Sequence, residues 1–463
     1  MTHLSTVIMA AGQGTRMKTQ KLKVLHTVGG QTLVEHVVSL AHKMKSQQTY
    51  LIVPKAHEAF NVVFDKSKNK TKNPKYVVQS EQKGTGHALQ CALKAISQMQ
   101  GNLLVLSGDQ PFVSAASLKK LVAIHQKNKA AVTLLTTCME DPFGLGRIVR
   151  NQQGELVRIV EEKDATKEEK SINEINVACY VFDLVFVKKN ISKLKNRNKQ
   201  KEYYITDLIS LALHKGLIVK THTTQDVYES FGINSQEQLS MANDLFYFRQ
   251  RQEFMKKGVA LIGSEIFIDA GVSIAKGVRI ESPCYIKSGS KVEEDVSIEM
   301  GTTIKSSIIR QGAFVKAHSY IDHCDIGPEC QVGPFCHLRP QAKLLAKAKV
   351  GNFSEVKKSV IGVGSKINHL SYIGDARIGS GVNVGAGTIT CNYDGFNKFK
   401  TVLEDNVFVG SDTQFVAPVR VGQGAVVGAG TTVTKNVSKN SLVISRCYQK
   451  EIKNWVKNRQ KSK

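Results

Sequence analysis

The sequence predicts two dissimilar folds in tandem: an α/β domain on a Rossmann-like, mostly parallel sheet, then an all-β left-handed parallel β-helix of hexapeptide repeats. Three observations carry this reading. The 463 residues exceed one ordinary core and suit two domains of about 200 to 250 residues. The first half alternates short apolar runs with amphipathic segments. From Ile262 onward an aliphatic residue recurs every six positions.

In the first half, the runs at 6–10, 50–53, 103–106 and 131–136 are short and β-rich, with helical patterns between them. Alternation of that kind marks a mostly parallel sheet wound with helices. Ligands in such folds sit beyond the carboxyl ends of the strands, where the glycine-rich segments of this chain fall. Ser235 and Gln238 form a capping-box pair ahead of Leu239, Ala242, Leu245 and Phe248 at helical spacing, which predicts a connecting helix over 236–258. The domains are thus expected at 1–235 and 259–447, with a basic tail at 448–463.

The second half opens with Ile262, Ile268, Ile274, Ile280, Ile286, Val292, Ile298 and Ile304 in one register. A second series runs Ile326, Val332, Leu338, Leu344, Val350 and Val356, and a third runs Val409, Phe415, Val421, Val427 and Val433. Gly271, Gly277, Gly289 and Gly301 fall at a fixed offset, where each strand turns a corner. A strict six-residue aliphatic period cannot be a heptad coil. It specifies a triangular β-helix of three hexads per turn. The segment 391–401, CNYDGFNKFKT, breaks the register and must leave the coil as a loop, a common place for function on a rigid solenoid. The lysine-rich tail, with the chain's one tryptophan, Trp455, reads as a helix or a partly disordered arm.

Composition narrows the partners. The formal charge of +25 suits nucleic acid, acidic membrane surfaces or anionic small substrates. Basic residues are spread through both halves without aromatic-interleaved stripes or a finger or helix-turn-helix pattern, so small polyanions are expected and nucleic acid is not. The nine cysteines contain no CxxC pair and read as reduced thiols. Cys324, Cys330 and Cys336 share the six-residue period of the repeat and are expected as stacked core residues. No run reaches the length of a membrane span and the N-terminus has no basic leader, so a cytoplasmic protein is expected.

The segment Ala10-Ala11-Gly12-Gln13-Gly14-Thr15-Arg16 follows the first predicted strand, and its small residues let backbone N–H groups close on phosphate oxygens. Arg16 and Lys23 supply fixed cations for charge building on a phosphoryl group. Asp109, at the end of the run 103–106, is placed to hold Mg²⁺ through oxygen. Standing alone, it is equally a strand-end turn aspartate.

Together, AAGQGTRM, KVLH, QSEQKGTGHA, SGDQP, GLGRIV, IVEEKDAT, EINV, KEYYITD and GIN resemble the bacterial family of bifunctional N-acetylglucosamine-1-phosphate uridylyltransferase/glucosamine-1-phosphate acetyltransferases. The resemblance continues through the hexapeptide half and covers nearly the whole chain. It implies that Ala10, Ala11, Gly12, Gly14, Arg16 and Lys23 handle the UTP triphosphate, while Gln79, Gln82, Gly84 and Thr85 read the uracil edge. Asp109 and Asn234 would hold Mg²⁺, and Gly146, Glu161, Asn176 and Asn234 would meet N-acetylglucosamine-1-phosphate. Arg16, Lys23 and His369 would take the catalytic parts. Leu22, Ser107 and Ala178 depart from the family's usual proline, aromatic residue and glycine.

Acetyl transfer from a thioester to an amine needs the amine unprotonated, so a base near cationic groups is required, and histidine suits it. A histidine on a solenoid turn is more often structural than catalytic. The resemblance assigns His369 as the base, in a stretch where the aliphatic register is expected to be interrupted. It assigns Arg339, Lys357, Tyr372 and Lys398 to glucosamine-1-phosphate, and Asn383 and Asn392 to the amino sugar or to orienting the base. Ala386, Asn392, Tyr393, Ser411, Ala429 and Arg446 would line the acetyl-CoA groove. A homotrimer is implied, because family members complete their acetyl-transfer sites between subunits. Two other readings share the architecture: a nucleotidyltransferase whose β-helix only assembles subunits or senses a regulator, and a non-enzymatic interaction subunit. The first need not hold His369, Asn392, Lys398 and Arg446 together, and the second can lose the catalytic loop that is intact here.

Overall fold

The computed structural model describes residues 3–64, 73–96, 100–446 and 448–460. Cys447 and the end of the basic tail lie outside the described residues. The chain divides into two compact units, Met1–Asp244 and Leu245–Lys463.

In the first unit, mostly apolar runs form the inner strands β1 (Leu4–Met9), β2 (Thr49–Pro54), β4 (Asn102–Ser107), β5 (Val132–Cys138) and β6 (Glu174–Asp183), and more polar segments rich in β-branched and aromatic residues form the edges β3 (Lys75–Gln79) and β7 (Val219–Thr224). They lie in the order β7-β5-β6-β4-β1-β2-β3. Every neighbouring pair is parallel except those of β6, which runs antiparallel to both β4 and β5. Near-continuous hydrophobic runs suit strands covered on both faces. Two buried clusters accordingly use alternate residues of one strand: Val7 on one side of β1, Leu4 and Ile8 on the other. β1 and β4 end side by side, with Met9 opposite Ser107, so the loops that follow them share one edge of the sheet.

The connecting helix spans Gln236–Lys256. Its start differs from a full capping box. Gln238 N donates to Ser235 Oγ at 3.2 Å, but the Gln238 side chain accepts from the N–H of Asn234, one residue earlier, at 2.8 Å. Phe248 is 52% exposed, so the spacing misassigned the buried face. Ala242, Tyr247 and Phe254 are the buried positions, and Tyr247 hydrogen-bonds Asp269 and Tyr285. A helix spanning the division between two cores has no need of one continuous stripe.

The second unit is a three-sided parallel coil, with sheets of 11, 10 and 9 short strands. Inward residues stack directly, as in Ile280 on Ile298 and Ile304 on Ile321. The first pair is 18 residues apart, three hexads, and the second only 17. Each such shortening ends one aliphatic series and starts the next, so Ile304 is followed inward by Ile309 and Ile321 by Ile326. Three expectations change. Ile262 is 45% exposed, and its neighbour Leu261 takes the inward place by pairing with Ile280, because strand alternation turns Ile262 outward. The register is not interrupted at His369, since Ile367 and Ile373 are both fully buried. Cys324, Cys330 and Cys336 are buried, but they precede strands on three different faces and so are not stacked on one another. Between Ile389–Cys391 and Thr401–Leu403 the chain leaves the coil in a loop whose Tyr393 bridges to Lys398, as the polar insertion requires. In the tail, Trp455–Gln460 is helical.

Candidate active sites

The loops after β1 and β4 enclose a cavity of about 610 Å³ lined by 10–15 of the first loop together with Lys23, Gln79, Gln82, Gly84, Thr85 and Asp109. Gly14 adopts φ +65°, and a Cβ there would lie 2.6 Å from Lys23 Cβ, so the loop closes against the lysine only as glycine. Gly84 has φ +98°, and a Cβ would meet the carbonyl oxygen of Tyr203 at 2.6 Å. Gln82, exposed at the cavity wall, makes long contacts to Gln13 and to the Ala11 carbonyl, at 3.4 and 3.5 Å.

Lys23, expected at the triphosphate, meets Asp109 and Asn234, expected together at Mg²⁺. Lys23 Nζ donates to Asp109 Oδ2 at 2.5 Å and to Asn234 Oδ1 at 2.9 Å. Ser107 Oγ donates to the other carboxylate oxygen of Asp109 at 2.6 Å, fixing its plane. Two oxygens thus converge on one cationic position beside the phosphate loop. A carboxylate and an amide carbonyl are hard donors that suit Mg²⁺, which takes its remaining ligands from water and phosphate. Among the described residues no cluster of three or more His, Cys, Asp or Glu gathers as a metal cage. Arg16 is exposed on the short turn Thr15–Met17 and is not among the lining residues.

A second cavity of about 240 Å³ adjoins the first, sharing Met9, Thr85 and Ser107, and is lined by Gly146, Glu161, Asn176, Ala178 and Tyr180. Asn176 donates to the Tyr180 hydroxyl at 2.6 Å and accepts from the Ala178 N–H at 3.1 Å. Ala178 sits at φ +59° where β6 bulges between Asn176 and Tyr180. Its conformation explains why glycine is usual there, since a side chain in the left-handed region costs about 1 kcal/mol. Burial pushes the Glu161 carboxyl above its ordinary value, the carboxylates of Asp164, Asp207 and Glu202 push the same way, and a hydrogen bond from Thr206 opposes.

On the coil, His369 is exposed, so it is not a core histidine. Its Nδ1 donates to Asn352 Oδ1 at 2.8 Å, which fixes the tautomer and leaves Nε2 as the basic nitrogen. Backbone hydrogen bonds connect the turns above it: Gly387 N to the His369 carbonyl, Asp412 N to that of Ala386, and Gly430 N to that of Ser411. His369, Ala386, Ser411 and Ala429 therefore form one column along a corner, with the histidine at the foot of a run of small side chains. Gly428 lies beneath the guanidinium of Arg446.

Past the corner after His369 lies a polar cluster. Arg339 pairs with Glu355 at 2.7 Å, and Glu355 stands opposite Tyr372 in the ladder. Lys398, on the loop, lies near Lys357 and lowers the pKa of its ammonium. Asn392 donates to Asp375 Oδ2 at 2.5 Å, and Asp375 also offsets the charge of Lys357. Asn383 is in the strand beside Lys366 and makes no hydrogen bond to the other nominated side chains among the described residues. Tyr393 is 58% exposed and bonds back to the Gly395 carbonyl.

Sequence reasoning missed Asn352, Glu355 and Asp375, and treated Ser107 only as a departure. The first two stand 17 residues before His369 and Tyr372, one coil turn away, so the coil period was the signal that would have found them.

The chain matches the model of the nucleotidyl transferase family over residues 5–228, that of the GMPPB C-terminal domain over 268–342 and that of the bacterial transferase hexapeptide over 400–435. It is 42% identical over 462 residues to the bifunctional protein GlmU of Desulfitobacterium hafniense (strain DSM 10664 / DCB-2), covering 100% of both chains. It is 43% identical to that of Syntrophotalea carbinolica, with 98% of this chain and 96% of the relative covered, and 45% identical to that of Staphylococcus saprophyticus, with 97% and 99% covered.

Proposed function

The chain belongs to the family of bifunctional GlmU proteins, and from that premise we propose how its two sites divide the work. It is a glucosamine-1-phosphate N-acetyltransferase and an N-acetylglucosamine-1-phosphate uridylyltransferase. The acetyl group of acetyl-CoA passes to the amine of glucosamine-1-phosphate, and UMP then passes from UTP to the acetylated sugar phosphate with release of pyrophosphate.

In the acetyl-transfer half, His369 Nε2 takes a proton from the sugar ammonium. The freed amine attacks the thioester carbonyl, and the carbon–sulfur bond breaks to release coenzyme A. The observation that supports this reading is the column in which His369, its Nδ1 held by Asn352, stands at the end of Ala386, Ser411 and Ala429. Those small residues leave room for the pantetheine arm, and Arg446 lies at the far end of the column for a coenzyme A phosphate. Arg339, Lys357, Tyr372 and Lys398 bind the sugar phosphate, Arg339 by its planar fork and the lysines as point charges. Asn383 and Asn392 belong with the amino sugar, and Asn392 and Tyr393 with the coenzyme.

In the uridylyl-transfer half, a phosphate oxygen of N-acetylglucosamine-1-phosphate attacks the α-phosphorus of UTP in line, and the bond to pyrophosphate breaks. No protein nucleophile is required, because positioning and charge neutralisation supply most of the rate. The first loop and Lys23 hold the triphosphate, with Arg16 reaching it once the nucleotide is bound. Gln79, Gln82, Gly84 and Thr85 take the base, and Gly146, Glu161 and Asn176 take the sugar. Asp109 and Asn234 would hold Mg²⁺, which would supply charge neutralisation at the reacting phosphates.

Glucosamine-1-phosphate, acetyl-CoA, UTP and Mg²⁺ mixed with the purified chain are expected to yield UDP-N-acetylglucosamine. Absence of that product contradicts the reading. The protein acts as a cytoplasmic homotrimer, in accord with three flat coil faces and the projecting 391–401 loop, and no described helix is long and apolar enough to cross a membrane. Sedimentation at micromolar concentration is expected to give a trimer, and a fully active monomer contradicts it.

A further inference from the structure

Gln79 is only 4% exposed, yet it lines the larger cavity. Its amide nitrogen Nε2 donates to the Gly84 carbonyl oxygen at 3.2 Å and to His87 Nδ1 at 3.1 Å. A carbonyl oxygen can only accept, so the amide is oriented with its NH₂ toward Gly84 and His87. No described residue donates to Oε1, which is the face left for the cavity. For His87 Nδ1 to accept, its proton must sit on Nε2, and Nε2 is directed at Cys91 Sγ, one helical turn on, at 3.9 Å. Burial pushes the Cys91 thiol up, so it stays a neutral, weak acceptor.

We propose that His87 is a positioning residue that sharpens which nucleobase the cavity accepts, by adding to the Gly84 carbonyl a second acceptor that holds the Gln79 amide with its carbonyl oxygen toward the ligand. A carbonyl oxygen presented to the base edge pairs with an imide N–H, as in uracil. It repels the unprotonated ring nitrogen that cytosine carries at the same place. Without an acceptor at position 87 the Gly84 carbonyl alone holds the amide, so turning over to offer its NH₂, which suits cytosine, costs one hydrogen bond less. His87 touches no substrate and acts only through Gln79. The inference rests on the assignment of this cavity to UTP.

The test measures transfer to N-acetylglucosamine-1-phosphate with UTP and with CTP, for the wild type, His87→Leu and His87→Asp. Acetyl transfer and melting temperature report folding. The wild type is expected to prefer UTP. His87→Leu should lower the UTP:CTP ratio of kcat/KM by about three- to tenfold, the scale of one lost hydrogen bond, chiefly through a raised KM for UTP. His87→Asp, an acceptor that cannot donate, should keep the ratio even if both rates fall, since the two nucleotides carry the same charge. An unchanged ratio in His87→Leu overturns the proposal, as does a ratio in His87→Asp that collapses like that of the leucine variant. Should His87→Leu lose its melting transition, His87→Ser, too short to reach Gln79, takes its place with the same expectation. A wild type that uses neither nucleotide contradicts the assignment of the cavity instead, so the two failures are distinct.

Discussion

Asp109→Ala is expected to lower uridylyl transfer by at least about three orders of magnitude, the scale on which a preorganised electrostatic group acts in a transition state, while acetyl transfer stays near wild type. The carboxylate accepts the Lys23 ammonium at 2.5 Å and the Ser107 hydroxyl at 2.6 Å. Its loss leaves Lys23 with Asn234 alone and removes the one charged oxygen from the proposed Mg²⁺ position. Two effects then coincide: the cation is bound less well, and the lysine is free to swing from the place that the phosphate loop was shaped around. Chelation should reproduce the first effect without the second, so EDTA is expected to silence uridylyl transfer in the wild type and to leave acetyl transfer untouched. Retention of a tenth or more of the UTP-dependent rate by Asp109→Ala would sink the assignment.

His369→Ala is expected to lower acetyl transfer by roughly two to four orders of magnitude, the usual share of general-base catalysis. KM values should move little, because the sugar phosphate is still met by Arg339, Lys357 and Lys398, and the coenzyme by the small-residue column. Uridylyl transfer to added N-acetylglucosamine-1-phosphate should be unchanged. The melting temperature should also hold, since the ring is exposed and its one side-chain partner among the described residues, Asn352, is only half-buried and within reach of water. A normal acetyl-transfer rate rejects His369 as the base. A fall in stability with both activities impaired would instead mean that the histidine supports the fold.

What was legible in the chain follows from how local the signal is. The coil is written in the sequence because each hexad contributes one inward side chain, so the ladder from Ile268 to Ile304 can be read without knowing any contact. The same rule failed at Ile262, where strand alternation decides which side chain faces inward, and it cannot carry the ladder across the five-residue steps after Ile304 and Ile321, where a turn is shortened. Phe248 was misplaced for a related reason: helical spacing identifies a stripe, and the helix Gln236–Lys256 has no continuous one. In the sites, single residues such as Lys23, Asp109 and Asn234 were recognisable from their motifs. The resemblance already joined Asp109 and Asn234 at one metal; that Lys23 meets both was not legible, because it lies 86 and 211 positions from them. Asn352 and Asp375 went unnoticed because their importance lies in a partner one coil turn away, on no local pattern of their own.

The central claim is that one chain carries two chemically independent sites linked only by a diffusible intermediate. Mixing the two variants tests it most directly. With glucosamine-1-phosphate, acetyl-CoA, UTP and Mg²⁺, Asp109→Ala alone should stop at N-acetylglucosamine-1-phosphate, and His369→Ala alone should make almost nothing. Together they should restore formation of UDP-N-acetylglucosamine at a substantial fraction of the wild-type rate. A mixture as inactive as either variant alone, with both proteins folded, would contradict the account.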